Sequence, residues 1–443
     1  MSAPDTDTPG VGRRAADGNR LVVIAGVRTP FARMGTDLAA LGAEELGRMA
    51  VSALLARTGI DPAILDEVIL GCVSQPFDAA NVARVVALRS GIPDSVPAAT
   101  VHRNCASGFE AITQAQERML SGRGEVFVVG GTESMSGVPL LFHPKAAAKF
   151  ARLGRAKSLP AKLAAIAKFR PVDFKPRIGL LVGLKDPVSA LNMGQTAELV
   201  AREAGVSREE QDRFAERSHQ RALAARERLA AEIEPAYVPP DYKKVLVEDN
   251  GPREDSTFER LGRLRPVFEK GTGMVTAGNA SQVTDGAVAL LVATERRAAE
   301  IGIAPLGVLT GYAYAGVDPA RMGLGPVHAI ARAEETTGLS VSDADLIEIN
   351  EAFAGQVLAC LERMRSTEYA RTALGRDRAV GDVDEELLNV NGGAIALGHP
   401  VGATGSRLVL TSLLELHRRS AKRALVSLCV GGGQGGALWL ERP

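Results

Sequence analysis

The chain has 443 residues, 46% of them apolar, and its 52 basic and 52 acidic side chains cancel to zero net charge. That length exceeds one ordinary core and predicts two or three domains, and the charge balance removes any global attraction to nucleic acid. No window supplies the roughly 18 continuous apolar residues that a membrane-crossing helix needs, and four Cys (Cys72, Cys105, Cys360, Cys429) fall far short of a disulfide framework, which fits a reducing compartment.

Residues 1–20 are polar and lack the apolar stretch of a secretory signal, so they predict a disordered tail on a soluble, cytoplasmic protein. Strands are predicted over 21–25, 67–70, 125–129, 287–292, 346–349 and 424–429, alternating with helices over 44–58, 109–120 and 406–418. This alternation predicts layered α/β architecture rather than a helical bundle or a β-sandwich.

The two ends of the chain repeat each other. Thr58-Gly59-Ile60 ends one helix and Asp66-Glu67-Val68-Ile69-Leu70 follows as a strand; Thr337-Gly338-Leu339 and Asp345-Leu346-Ile347-Glu348-Ile349 do the same 279 residues later. Ser107-Gly108, a helix and the strand around 126–131 are matched by Thr404-Gly405, a helix and the strand around 425–432. The shared order of elements predicts a duplication, with Cys105 and the His399 loop facing one another across a pseudo-twofold axis. The expected division is a tail over 1–20, a first half over 21–136 plus 284–302, an inserted domain over 137–283 and a second half over 303–443. Inside the insertion, residues 145–185 hold eleven Lys and Arg against one acid, Asp173, with Phe150, Leu153, Leu159, Leu163, Ile166 and Phe169 between them. Such a composition suits a helix lying on an anionic membrane or an acidic partner subunit, or a solvated face that attracts phosphates.

Three segments look built for chemistry. Cys105 sits in Val101-His102-Arg103-Asn104-Cys105-Ala106-Ser107-Gly108, just before a helix whose free N–H groups and dipole favour a thiolate. His399 lies among Gly398, Pro400, Gly402 and Gly405, tight backbone that positions a side chain. Cys429 ends a strand and enters Gly431-Gly432-Gly433, whose N–H groups can form an anion nest. Two thiols and a base suggest covalent acyl chemistry; the alternatives are a disulfide, a buried small Cys and a phosphate loop, the last weakened by the lack of a following Lys-Ser/Thr. Asn350 at the end of a strand can hold a water or shape a turn.

With these segments in view, the chain resembles the thiolases (acetyl-CoA C-acyltransferases) over about 21 to 441. The motifs that carry the resemblance stand in order: Asn104-Cys105-Ala106-Ser107-Gly108, then Met193-Gly194-Gln195-Thr196-Ala197-Glu198, then Thr276-Ala277-Gly278-Asn279-Ala280-Ser281. Asn350-Glu351-Ala352-Phe353, the His399 loop through Gly405 and Cys429-Val430-Gly431-Gly432-Gly433-Gln434-Gly435 complete the set. The resemblance implies two βαβαβαββ halves in five layers, α-β-α-β-α, with a loop domain inserted in the first. It implies Cys105 as the acylated nucleophile, His399 as its activator and Cys429 as the acid/base for the acetyl-CoA α-proton. Asn350, holding a water, would form one oxyanion hole with His399, and the N–H groups of Cys105 and Gly431 the other. Met193, Met322 and Phe353 would line the acyl pocket, Ala277 and Ser281 would meet pantetheine, and Arg253 would lie near the CoA adenine.

Asn192 stands where short-chain thiolases often carry a His, and the segment 140–191 is longer than theirs. Both features resemble the thiolase subunit of the fatty-acid β-oxidation trifunctional complex, although Asn350 departs from the His that some such subunits carry. The expectation is a 3-ketoacyl-CoA thiolase with coenzyme A as substrate, no tightly bound cofactor and no metal. Its expected partners are acyl-CoA substrates, a second copy of the chain (homodimer or homotetramer), and a β-oxidation subunit or membrane at 145–185. The alternatives are a biosynthetic acetyl-CoA acetyltransferase and a non-catalytic lipid-binding member of the fold.

Overall fold

A computed structural model describes residues 20–443, so the expected N-terminal tail lies outside the described residues. Nine principal strands form one continuous sheet path: β1 (Leu21–Arg28), β2 (Glu67–Gly71), β3 (Ala98–Val101), β4 (Val126–Glu133), β5 (Thr284–Thr294), β6 (Gly307–Gly316), β7 (Leu346–Ile349), β8 (Arg423–Val430) and β9 (Gln434–Glu441). Their order is β7-β8-β9-β6-β1-β5-β4-β2-β3, and the halves meet where β1 and β6 share only the pairs Val22–Val308 and Val23–Gly307. Most strands are buried on both faces, so they read as apolar runs rather than alternating ones.

The principal helices are α1 (Ala43–Thr58), α2 (Val82–Arg89), α3 (Ser107–Leu120), α4 (Pro144–Arg155), α5 (Leu159–Ile166), α6 (Met193–Glu203), α7 (Arg208–Ala224), α8 (Gly325–Thr337), α9 (Ala354–Arg365) and α10 (Thr404–Arg419). One apolar cluster gathers α3 and α10 between the inner faces of both half-sheets, through Phe109, Ile112, Leu408, Leu410, Val129, Leu290, Val426 and Leu438. A second packs α1 and α2 on the outer face of the first half-sheet, and a third packs α8 and α9 on the outer face of the second. Five layers, α-β-α-β-α, result, as the resemblance implies.

The duplication extends to hydrogen bonds. Asp66 accepts the N–H groups of Glu125 and Val126, at 2.7 and 2.9 Å, and Asp345 accepts those of Lys422 and Arg423, at 2.8 and 2.9 Å. Left-handed Gly59 and Gly338 end α1 and α8 in the same way. At the centre, α3 and α10 cross at Gly108 and Gly405. A Cβ on Gly108 would sit 2.6 Å from the Ser406 nitrogen, and one on Gly405 would sit 2.6 Å from the Phe109 nitrogen. No larger residue allows that approach.

Residues between β4 and β5 add no strand to the large sheet; they form two small two-stranded sheets and several helices. Arg28, with no exposed surface, pins this region to β1: its guanidinium meets Asp249 at 2.6 and 2.7 Å and Glu232 at 2.6 Å. Thr411 of α10 also donates to Glu232, at 2.9 Å. A buried cation is tolerable only with such pairing.

Candidate functional site

Because α3 and α10 cross at their first turns, the loops that lead into them come to the same end of the central layer. The first follows β3 and carries Cys105. Asn104 takes a left-handed conformation (φ 44°), Ala106 N–H donates to Arg103 O at 3.0 Å, and the Ser107 hydroxyl accepts Arg103 N–H at 2.9 Å while donating to Asn104 O at 2.7 Å. Cys105 is half-buried, and burial pushes its thiol above the ordinary range, outweighing the N–H groups of Gly431 and Cys105 itself, which favour the thiolate. The N–H groups at the helix start favour the thiolate, but desolvation outweighs them, so a separate base has to take the proton.

His399 leads into α10. Its Nδ1 lies 2.7 Å from the Thr404 hydroxyl, which itself reaches Pro400 O at 3.0 Å. With its single proton given to that carbonyl, Thr404 must accept from Nδ1–H, so Nε2 carries a lone pair. Nε2 is buried with no protein partner. Burial, followed by the Arg407 cation, holds the imidazole down at about 4, so it is neutral near pH 7 and available as a base.

Cys429 lies near the end of β8 with no exposed surface. Burial pushes its thiol well above the ordinary range, and proximity to Cys105 raises it further. All four thiols are free, so the disulfide alternative is discarded. Asn350 follows β7 with its N–H bound to Ser427 O at 2.9 Å, and both polar atoms of its amide are buried without a protein partner. Buried polar atoms are seldom left unmatched, so a free amide and a free imidazole nitrogen mark a place for water or ligand.

The segment Asn279 to Thr284 stitches these parts together. Ser281 N–H donates to Ala352 O at 2.9 Å, Ala354 N–H to Asn279 O at 2.9 Å, and His399 N–H to Gln282 O at 3.1 Å. Asn279 is fixed in turn by Thr276 N–H at 2.7 Å and Asp212 at 2.9 Å. Met193, Met322 and Phe353 gather in one apolar cluster with Cys429, Ala280, Val275 and Phe268. The ring of Phe268 stands edge-on to Phe353, 6.2 Å between centroids. Met193 Sδ lies 3.2 Å from where a Cβ on Gly431 would be. Ser281 is half-buried beside this cluster, whereas Ala277 and Arg253 are exposed and outside it. Asn192 does not project as a pocket ligand; its side chain caps α6, accepting Gln195 N–H at 2.9 Å. Among the described residues, no group of three His, Cys, Asp or Glu could hold a metal ion.

Four contributors were missed from sequence. Thr404 sets the imidazole tautomer, and Phe268 closes the apolar cluster. The buried carboxylate of Glu133 accepts Ser74 N–H and Gly402 N–H, both at 2.8 Å, tying the His399 loop to the first half. Glu351 accepts Ser218 Oγ at 2.6 Å and Asn389 Nδ2 at 2.9 Å behind Asn350. Glu351 and Thr404 had a sequence signal, their places in the Asn350-Glu351-Ala352-Phe353 motif and the His399 loop; Glu133 and Phe268 had none.

Duplicated halves bring a half-buried thiol, a buried thiol and a neutral imidazole toward one end of the central layer. Family models described as "Thiolase, N-terminal domain" and "Thiolase, C-terminal domain" match residues 21–296 and 303–442, and the chain belongs to the thiolase family of acyltransferases. It is 41% identical over 427 residues to a 3-ketoacyl-CoA thiolase of Pectobacterium carotovorum, covering 96% of this chain and 97% of that one. A 3-ketoacyl-CoA thiolase of Escherichia coli is 40% identical over the same coverage. Among solved structures, the Bacillus anthracis acetyl-CoA acetyltransferase superposes with a TM-score of 0.83 at 38% identity, covering 96% of this chain and 99% of that one. Human mitochondrial 3-ketoacyl-CoA thiolase in complex with CoA gives 0.82 at 37%, covering 98% and 100%.

Proposed function

We propose that this protein is a 3-ketoacyl-CoA thiolase that cleaves its substrate with CoA into acetyl-CoA and an acyl-CoA shortened by two carbons. The observation that carries the reading is the neutral His399, with a free Nε2, at the same helix crossing as a thiol that burial holds protonated. His399 takes the Cys105 proton, and the thiolate attacks the 3-keto carbon. The bond between C2 and C3 then breaks, Cys429 protonates the departing acetyl-CoA carbanion, and Cys105 is left as a thioester. CoA attacks that thioester as its thiol proton passes to the Cys429 thiolate, and the departing Cys105 thiolate recovers its proton from His399, which completes a ping-pong cycle. The Cys105 and Gly431 N–H groups hold one oxyanion, and His399 with a water on Asn350 holds the other. Met193, Met322 and Phe353 shape the acyl pocket, Ala277 and Ser281 meet pantetheine, and Arg253 lies toward the adenine. Coenzyme A is a substrate here, and no cofactor is tightly bound.

Steady-state thiolysis of 3-ketoacyl-CoA from four carbons upward tests this reading. Medium-chain substrates should match or exceed acetoacetyl-CoA, since the longer covering segment and Asn192 leave no His beside Met193. Strict preference for acetoacetyl-CoA would favour the acetyl-CoA acetyltransferase alternative, and no turnover of any substrate would favour the non-catalytic one.

We propose further that the region around α4 and α5 docks on an anionic lipid surface. Leu159, Leu163, Ile166, Val172 and Phe174 are all exposed amid the eleven cations, and the rings of Phe142, Phe150, Phe169 and Phe174 pack on one another as a half-exposed aromatic cluster. The single acid, Asp173, is already paired with Lys149 at 2.6 Å. Co-sedimentation with phosphatidylglycerol vesicles should be lost in a charge-reversed 145–177 variant and should weaken with salt. Equal binding by both proteins would refute the lipid reading, and capture of an acidic subunit instead would replace it. The division into an insertion over 137–283 between two halves, the homodimer or homotetramer and the cytoplasmic location belong to the same proposal, supported by the family and by four free thiols.

A further inference from the structure

The loop that follows Cys429 is closed at its base by the Val430–Gln434 strand pair and held at Gly433 O by Val317 N–H at 2.8 Å. Gly431, Gly432 and Gly433 carry no side chains, and the last two adopt left-handed conformations (φ 88° and 84°). Glycine runs lose the most conformational freedom on ordering, so a fixed shape has to be imposed from outside. Two consecutive residues of the other half add to that restraint from across the site. Asn104 Nδ2 donates to Gly431 O at 2.7 Å, and Arg103 Nη1 donates to Gln434 Oε1 at 3.0 Å. Arg103 is itself braced by Glu110 at 2.6 Å and lies 4.1 Å above the Tyr314 ring. The pair therefore grips both ends of the glycine run from the residues that immediately precede Cys105.

Asn104 also occupies the left-handed region, which Asn tolerates far better than most side chains. That conformation turns its amide toward the second half while Cys105 begins the approach to α3. One residue thus fixes where the thiol stands and where Gly431 stands. We infer that Asn104 is a positioning residue that sets the separation of the Cys105 and Gly431 N–H groups, with Arg103 as its auxiliary at Gln434. The inference rests on the reading of Cys105 as nucleophile and of these two N–H groups as an anion hole. Donors of this kind act only when aimed at the developing charge within a few tenths of an ångström.

Three variants separate the amide from the backbone. Asn104→Gly keeps the left-handed conformation and removes the side chain. Asn104→Asp keeps the shape and replaces the donor with an acceptor facing a carbonyl. Gln434→Ala cuts only the Arg103 arm. The full-length variants are assayed for thiolysis, for melting temperature, and for the pH dependence of Cys105 alkylation by iodoacetamide. Asn104→Gly and Asn104→Asp should each lower kcat about 10–10²-fold. KM for CoA should stay within about twofold, and the alkylation profile should move to higher pH as Gly431 N–H ceases to support the thiolate. Gln434→Ala should show the same signature to a smaller degree. Wild-type kcat and an unmoved alkylation profile in either Asn104 variant would overturn the inference, as would a loss of kcat that only follows a lowered melting temperature. Intact-mass detection of acyl transfer to Cys105 in the wild type separates the two failures. Its absence sinks the nucleophile reading and this inference with it, whereas acylated wild type beside fully active Asn104 variants sinks this inference alone.

Discussion

The starts of α3 and α10 are the same structural device put to different use. Each helix opens on a hydroxyl residue and a glycine, and each glycine lies against the backbone of the other helix. The loops before them differ. The first ends in a thiol that follows a left-handed Asn104 and that burial holds protonated; the second ends in an imidazole whose tautomer is fixed by Thr404 and which burial holds neutral. Symmetry supplies the rigid crossing, and the departure from symmetry supplies an acid and a base at one place. On the proposed mechanism neither loop suffices alone, because an unactivated thiol is a few per cent ionised at neutral pH and burial makes this one still less so.

The most severe way to break that complementarity is to remove the base. His399→Ala should lower acylation and thiolysis alike by about 10²–10⁴-fold, checked by single-turnover rates of each half-reaction. Loss of one half-reaction only would show that the imidazole does not serve both. Cys429→Ala should chiefly stop exchange of the acetyl-CoA α-proton, by about 10²–10³-fold in deuterium-exchange measurements, while Cys105 still accepts an acyl group. Exchange at the normal rate would remove Cys429 from its assigned role.

The crossing itself can be tested by overpacking. Gly405→Ala puts a methyl 2.6 Å from the Phe109 nitrogen, on backbone that cannot yield cheaply. A loss of about 1–3 kcal/mol in urea unfolding is expected, and a stability change under about 0.5 kcal/mol would show that the helices are not locked there.

Proton linkage gives a smaller, pH-dependent effect. His399 and the buried His219 are both held down at about 4 by burial. An unfolded His takes up its proton near pH 6.5, so from there down to about 4 the unfolded state binds protons that the folded state refuses. Stability is therefore lost as pH falls through that window. Glu348, pushed up to about 7 by burial, acts in the opposite sense: its contribution is complete at acid pH and lost as pH rises through 7. Comparing wild type with His219→Gln isolates the first effect. The variant should gain on wild type by up to about 3 kcal/mol between pH 7 and 4. A difference that does not change with pH would contradict the assignment.

Much of this frame was legible in the sequence. The strand over 346–349 stands where its apolar run placed it, and the strand over 67–70 extends by one residue. The strands Gly307–Gly316 and Gln434–Glu441 were not read, because their glycines look like loop. In space, Gly435 lies against the backbone of Gly325, so the small residue marks a close contact rather than a turn. At the site, Cys105, His399, Cys429 and Asn350 stood out through local motifs. Glu133, Phe268 and the Asn104 clasp did not, since each acts through a partner far away in the chain. For Cys105 the helix start is local and visible in the sequence, whereas the desolvation that outweighs it comes from the whole fold.

The central claim, that the two unequal loops make one acyl-transfer site with Cys105 as its covalent centre, is tested most directly by intact-mass spectrometry after mixing with a 3-ketoacyl-CoA. Wild type should gain a single acyl group that peptide mapping places on Cys105, and Cys105→Ala should gain none. Stable acylation of the Cys105→Ala variant at Cys72, Cys360 or Cys429, or an unmodified wild type that still turns over, would contradict it.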